Sequence, residues 1–203
     1  VQGEYVRDAL DLDNAAGPFN VEFTAGDPGD NNAGFFFNGA MDVLKPYIES
    51  GKINVVSGQM KFEEVATPTW ATETAQSRAD NILGSYYADG TKLDAWVCSN
   101  DSTALGVENS LAANYKGDYP IVTGQDCDIE NTKNMIAGKQ AMSVFKDTRT
   151  LASQVVKMVG QILNGETVDV NDEETYDNGS KVVPSFLCEP VFANADNYKE
   201  LLI

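Results

Sequence analysis

Asn20-Val21-Glu22-Phe23-Thr24, then Gly26-Asp27-Pro28-Gly29-Asp30-Asn31-Asn32, then apolar residues at Phe36, Ala40, Val43, Leu44 and Tyr47, is the stretch that decides the fold. A short strand-like run passes into a turn rich in glycine and proline, and the turn passes into the apolar spacing of a helix. That is one βα unit. The same alternation recurs along the chain: Ile53 to Ser57, Asp94 to Cys98, Pro120 to Thr123 and Met142 to Phe145 also read as strands. Between them Ala75, Ala79, Ile82, Leu83 and Tyr86 mark a second helix stripe, and Leu105, Asn109 and Leu111 a third, less tidy one. Val1 to Glu4 opens on an amphipathic helix pattern. Sequential parallel strands need crossovers, so the pattern predicts an α/β fold with a doubly wound parallel sheet and helices on both faces.

The last third is organised differently. Leu151, Val155, Met158, Val159 and Ile162 form another stripe, followed by an acidic segment, Asp169 to Asp177, and by Asn178-Gly179. The apolar run Lys181 to Leu187, then Pro190-Val191-Phe192, predicts a strand returning to the sheet.

In doubly wound sheets ligands bind beyond the carboxyl ends of the strands. The residues at those ends are Gly26 to Asn32, Gln59 onward, Ser99-Asn100-Asp101, Gly124-Gln125-Asp126 and Lys146-Asp147. Each of the sites at Asp30, Asn100 and Asp126 also precedes a helix, so plain N-capping is the simpler reading for any one of them. Together, Asp30, Asn32, Asn100, Asp126 and Lys146 supply the mixture of fixed acceptors and donors that a neutral sugar's hydroxyls require. Trp70, between strand and helix, suits an aromatic platform for a sugar's C–H face and equally suits a core or lid tryptophan.

Composition narrows the classes. In 203 residues there are 31 acidic and 14 basic side chains, a formal net charge of −17, and 42% hydrophobic residues. A buried core is affordable in that length, and the basic footprint of a nucleic-acid binder is missing. Histidine is absent, which removes the usual general base and the commonest metal ligand. Without histidine, paired carboxylates are the first candidates for general acid and base, so an enzyme is the remote alternative. Cys98, Cys127 and Cys188 have neither zinc nor redox spacing, and Cys98 reads as a buried, inert thiol. No metal or cofactor is implied. No stretch approaches the roughly 20 apolar residues of a membrane span.

Gly26-Asp-Pro-Gly-Asp-Asn-Asn-Ala33, Lys45-Pro46-Tyr47, Ser50-Gly51-Lys52, Ser99-Asn100-Asp101, Gly124-Gln125-Asp126, Phe145-Lys146-Asp147-Thr148, Asn178-Gly179 and Val183-Pro184-Ser185, in this order, resemble the xylose-binding and multiple-sugar-binding branch of the periplasmic (type I) sugar-binding proteins of bacterial ABC transporters. The resemblance implies two α/β lobes joined by hinge strands, with residues 1–146 and 181–203 in the second lobe. It implies that residues 147–180 belong to a first lobe that is otherwise largely missing, and that Val1 falls just after a hinge crossing. The helix from Thr148 to Asn164 should then lack its sheet. It further implies that Asp30, Asn32, Asn100 and Asp126 hydrogen-bond sugar hydroxyls, that Lys146 is a hinge-proximal donor and that Trp70 stacks on the ring. Other sugar-binding relatives carry arginine where Phe36 stands, which places this chain nearer the xylose and multiple-sugar branch. The implied function is non-enzymatic capture of a monosaccharide, such as xylose, glucose or galactose, for uptake. The implied partner is a transporter permease, and the implied place is periplasmic or extracellular, anchored by lipid or free, as a monomer when complete. The alternative with the same architecture is the sugar-sensing module of a repressor, which calls for a helix-turn-helix segment upstream.

Overall fold

The structure is a computed structural model that describes residues 1–202. The elements run α1 (Gln2–Ala9), β1 (Phe19–Thr24), α2 (Asn31–Glu49), β2 (Ile53–Asn54), α3 (Phe62–Val65), a 3-10 turn (Pro68–Trp70), α4 (Thr72–Tyr86), β3 (Ala95–Cys98), α5 (Asp101–Asn114), β4 (Ile121–Gln125), α6 (Ile129–Ile136), β5 (Met142–Phe145), α7 (Thr148–Asn164), β6 (Val191–Ala193) and α8 (Tyr198–Leu202). One sheet takes all six strands in the order β2-β1-β3-β4-β5-β6. The pairs β1/β2, β1/β3, β3/β4 and β4/β5 are parallel.

The expected doubly wound sheet is therefore present, and β3 shows how it is held. All four of its residues are buried, but they divide between two cores. Ala95 and Val97 pack with Val6 of α1 and Phe37, Ala40 and Leu44 of α2. Trp96 and Cys98 pack on the opposite face with Ala79, Ile82 and Leu83 of α4 and Ala104, Val107 and Leu111 of α5. Successive strand side chains point to opposite faces, so a strand covered on both sides reads as a continuous apolar run. Cys98 is fully buried, and burial raises its thiol well above the ordinary range.

Two sequence expectations need correction. The strand read from Ile53 to Ser57 ends at Asn54, because Val55 O accepts from Gly58 N and closes a turn. The apolar run Lys181 to Leu187 does not enter the sheet. It meets the acidic segment through isolated antiparallel bridges, Asp172 to Ser185 and Asp177 to Val182. Pro184 cannot donate to a ladder, and the Asp172 carboxylate is occupied by Glu174 N and Thr175 N, which curls its partner segment into a turn. Only Val191–Ala193 forms the returning strand.

The chain divides into two compact units, Val1–Phe145 with the terminal segment from Phe192, and Lys146–Val191. In the second unit α7 has no buried residue, and its stripe of Leu151, Val155, Val159 and Ile162 is exposed.

Candidate functional site

The strand order reverses direction between β1 and β3, since β2 lies on one side of that pair and β4 and β5 on the other. This is the topological switch point, the place where open α/β sheets bind ligands beyond the carboxyl ends of their strands. Ser99 N donates to Thr24 O at 3.0 Å and keeps the two strand ends together as they enter their loops. Gln2 of α1 donates its side-chain amide to Cys98 O (2.8 Å) and Gly124 O (2.9 Å), bridging the ends of β3 and β4 from below. Arg78 of α4 does the same for β1, donating to Phe23 O and Thr24 Oγ1 and gripping Gln59 Oε1. Burial lowers the pKa of Arg78, while the Glu22 charge acts to raise it.

The loop after β1 and the 3-10 turn form one assembly. Trp70 lies half-buried with its ring on Gly26, where a Cβ would fall 1.9 Å from the ring's Cη2. Only glycine permits that approach. Thr69 and Trp70 both have left-handed backbone, with φ of 56° and 55°. Such residues cost of order 1–3 kcal/mol each and persist where neighbours over-determine them. Here Asp27 supplies the restraint: its carboxylate accepts from Thr69 N and from Gly29 N, and its carbonyl accepts from Asp30 N at 3.1 Å. Trp70 N donates to Thr67 O, and Thr67 N to Gly26 O. Phe36 of α2 flanks the indole, with ring centroids 6.4 Å apart and planes tilted by 54°.

Asp30, Asn32 and Trp70 are thus brought to one corner. Asp30 is the N-cap of α2, and its Oδ1 accepts from Asn32 N at 2.9 Å. Asn32 is exposed in the first turn of that helix. Asn100 is the N-cap of α5, with Oδ1 accepting from Thr103 N and Thr103 Oγ1. Capping is therefore real at both positions, and each cap leaves the side-chain amide or second carboxylate oxygen outside the cap bond.

Asp126 differs from both. It follows β4 directly, is exposed, and has a φ of 100°, with Cys127 next at 55°. The N-cap of α6 is Asp128, so Asp126 is no cap. Its backbone N continues the ladder to Val144 O at 2.9 Å. Burial, then the Asp126 charge, raises the pKa of Asp128. Lys146 falls in the second compact unit, exposed and immediately after β5, and the following Asp147 caps α7 by accepting from Arg149 N.

Sequence reasoning missed Gly26 and Asp27 as the seat and clamp of Trp70. The Gly-Asp-Pro-Gly spelling marks a turn but does not say what lies on it. It also missed Asp101, Gln140 and Ser143, a buried polar cluster beneath Asp126.

A family model described as "Periplasmic binding protein domain" matches residues 1–167. The chain is 47% identical over 207 residues to the multiple sugar-binding periplasmic protein SbpA of Azospirillum brasilense, covering 100% of this chain and 57% of that protein. It is 37% identical over 184 residues to the D-xylose-binding periplasmic protein of Escherichia coli strain K12, covering 91% of this chain and 52% of that one. Among solved structures, an ABC transporter solute-binding protein from Clostridium phytofermentans with bound β-D-glucose is 68% identical, with a TM-score of 0.95 over 100% of this chain and 62% of that chain. A carbohydrate transporter solute-binding protein from Chloroflexus aurantiacus in complex with D-glucose is 30% identical, with a TM-score of 0.84, again over 100% of this chain and 62% of that one. The chain spans a little over half the length of the curated relatives it matches. With the family model covering most of its length, this chain belongs to the periplasmic binding protein domain family.

Proposed function

We propose that this chain is the sugar-gripping part of an extracytoplasmic receptor that captures a monosaccharide for an ABC transporter and catalyses no reaction. The observation that carries the reading is Trp70, held half-exposed on Gly26 by a strained, clamped backbone at the switch-point rim. An aromatic face set in advance at the mouth of a crevice loses little freedom on stacking, and a sugar's C–H face is its natural complement. Asp30, Asn32, Asn100 and Asp126 stand at the strand ends and helix starts of the same compact unit, offering acceptors and amide donors to hydroxyls. Lys146, the residue after β5, is assigned as the cationic donor. D-glucose, held by the 68% identical structure, is the sugar assigned first.

The exposed apolar stripe of α7 supports placing residues 147–180 in a first lobe supplied by the rest of the parent chain. Closure of two lobes on the sugar would bury the hydroxyl network and create the form that a permease recognises. The periplasmic relatives support an extracytoplasmic location.

The test is a thermal-shift panel of glucose, xylose, galactose, arabinose and ribose on the full-length parent. At 100 times Kd a bound sugar should add about 2.7 kcal/mol to stability, seen as a raised Tm. Asp126→Ala should cut that rise by about half or more, since a hydrogen bond to a charged group is worth about 1.5–3 kcal/mol. A parent chain whose Tm responds to none of the sugars would refute the reading.

A further inference from the structure

We propose that Asp101 is a positioning residue for Asp126, holding the turn 126–128 through its backbone so that the Asp126 carboxylate is presented at the rim. The proposal rests on the reading of Asp126 as a sugar contact.

Asp101 opens α5 and is fully buried. Its Oδ2 accepts from the backbone N of Asp128 at 2.8 Å. Its Oδ1 accepts from Ser143 Oγ of β5 at 2.8 Å and from Gln140 Nε2 at 2.9 Å. Ser143 Oγ in turn accepts from the backbone N of Cys127 at 3.0 Å. Two consecutive amides of the turn therefore end on one carboxylate, the first through Ser143 and the second directly. Asn131 of α6 donates to Gln140 Oε1 (2.8 Å) and to Asp101 O (2.9 Å), which fixes the Gln140 amide with its NH2 toward Asp101.

An acid in the first turn of a helix is unremarkable by itself. Donors that arrive from β5, from the loop before it and from the turn after β4 need another explanation. That explanation is the backbone they restrain: Asp126 and Cys127 are non-glycine residues at φ of 100° and 55°, a conformation that persists only under external hold. Gly124 shows how closely the carboxylate is fitted, for a Cβ there would fall 2.1 Å from Asp101 Oδ1 and 2.4 Å from Gln140 Nε2. Burial pushes Asp101 up to about 6, against the lowering effect of its Gln140, Ser143 and Asp128 donors, so at neutral pH it is ionised and accepts all three.

Because both carboxylate oxygens face donors, Asp101→Asn places an NH2 against a donor whichever way the amide turns. In the full-length parent, Asp101→Asn should weaken D-glucose binding by about tenfold or more. In an Asp126→Ala background the same substitution should cause no further loss, because residues acting as one unit are not additive. Additive losses would overturn the proposal. Hydrogen exchange on the sugar-free protein gives a readout independent of ligand. Faster exchange confined to the amides of Cys127 and Asp128 is expected in Asp101→Asn, whereas uniform loss of protection across α5 and β4 would make Asp101 a general stability residue and overturn it. If the wild type binds glucose and Asp126→Ala binds equally well, the reading of Asp126 as a sugar contact fails, and with it the role of Asp101 at the site. The exchange pattern would then separately show whether Asp101 holds the turn.

Discussion

Helices α5 and α7 are of similar length, 14 and 17 residues, yet the one with the untidy apolar pattern is the buried one. In α5 eight residues are buried, among them Asp101, Thr103, Glu108 and Ser110, whereas in α7 none is, although Leu151, Val155, Val159 and Ile162 make a clean stripe. The periodicity of a helix records that an apolar partner exists for one face. It does not record whether that partner lies in the same stretch of chain. Helix α5, packed against α4, β3, β4 and α6 together, carries polar groups inside because they bond to neighbouring elements, and these blur its stripe.

Leu111→Ala in α5, at a position 2% exposed, should cost about 2–5 kcal/mol in urea unfolding of this chain. Ile162→Ala in α7, 63% exposed, should cost under about 0.5 kcal/mol in the same chain. In the full-length parent the α7 substitution should rise to about 2 kcal/mol or more if a further lobe covers that face. Equal, small effects in both forms would show that nothing covers it.

Glu108, buried in α5, makes stability depend on pH. Its Oε2 accepts from Asn134 Nδ2 at 2.5 Å, its Oε1 has no partner among the described residues, and burial pushes its pKa up to about 8. A carboxyl raised above its unfolded value holds its proton more tightly when folded. Its contribution to stability is complete below the unfolded value of 4.5 and is lost as pH rises through about 8. The urea midpoint should therefore fall between about pH 5 and about pH 9, and Glu108→Gln should flatten that fall. Asp101, raised to about 6, acts in the same direction over a lower window, so the variant's remaining decline should be concentrated below neutral pH. An identical slope in both proteins would place the titration elsewhere. A smaller effect is expected from Phe36→Leu, which keeps an apolar neighbour for Trp70 but removes the tilted ring, and should weaken glucose binding by about threefold.

Much of the fold was legible because its strands are apolar runs between turn signals. The run Met142 to Phe145 coincides with β5 to the residue, and the end of the last long helix at Asn164 is marked by Gly165 in left-handed conformation. Lys181 to Leu187 misled because apolar content cannot say whether a ladder partner is available. The helix expected after Asp126 has no apolar stripe to give its bounds, because in α6 Ile129 and Ile136 are exposed and only Asn131 and Met135 are buried. At the site, the strand ends named the corner residues, since a parallel sheet delivers its loops to one edge. The supports were illegible for a different reason. Asp101, Gln140 and Ser143 are 39 and 42 positions apart as bonded pairs, and a serine between Met142 and Val144 looks only like an interruption.

Trp70, seated on Gly26, is the residue on which the proposed sugar stacking at the switch-point rim depends. Calorimetric titration of D-glucose into the full-length parent and its Trp70→Ala variant tests it most directly. Saturable binding by the parent, weakened about tenfold or ~1.4 kcal/mol in the variant, is the predicted result. Glucose bound equally tightly by both proteins would contradict it.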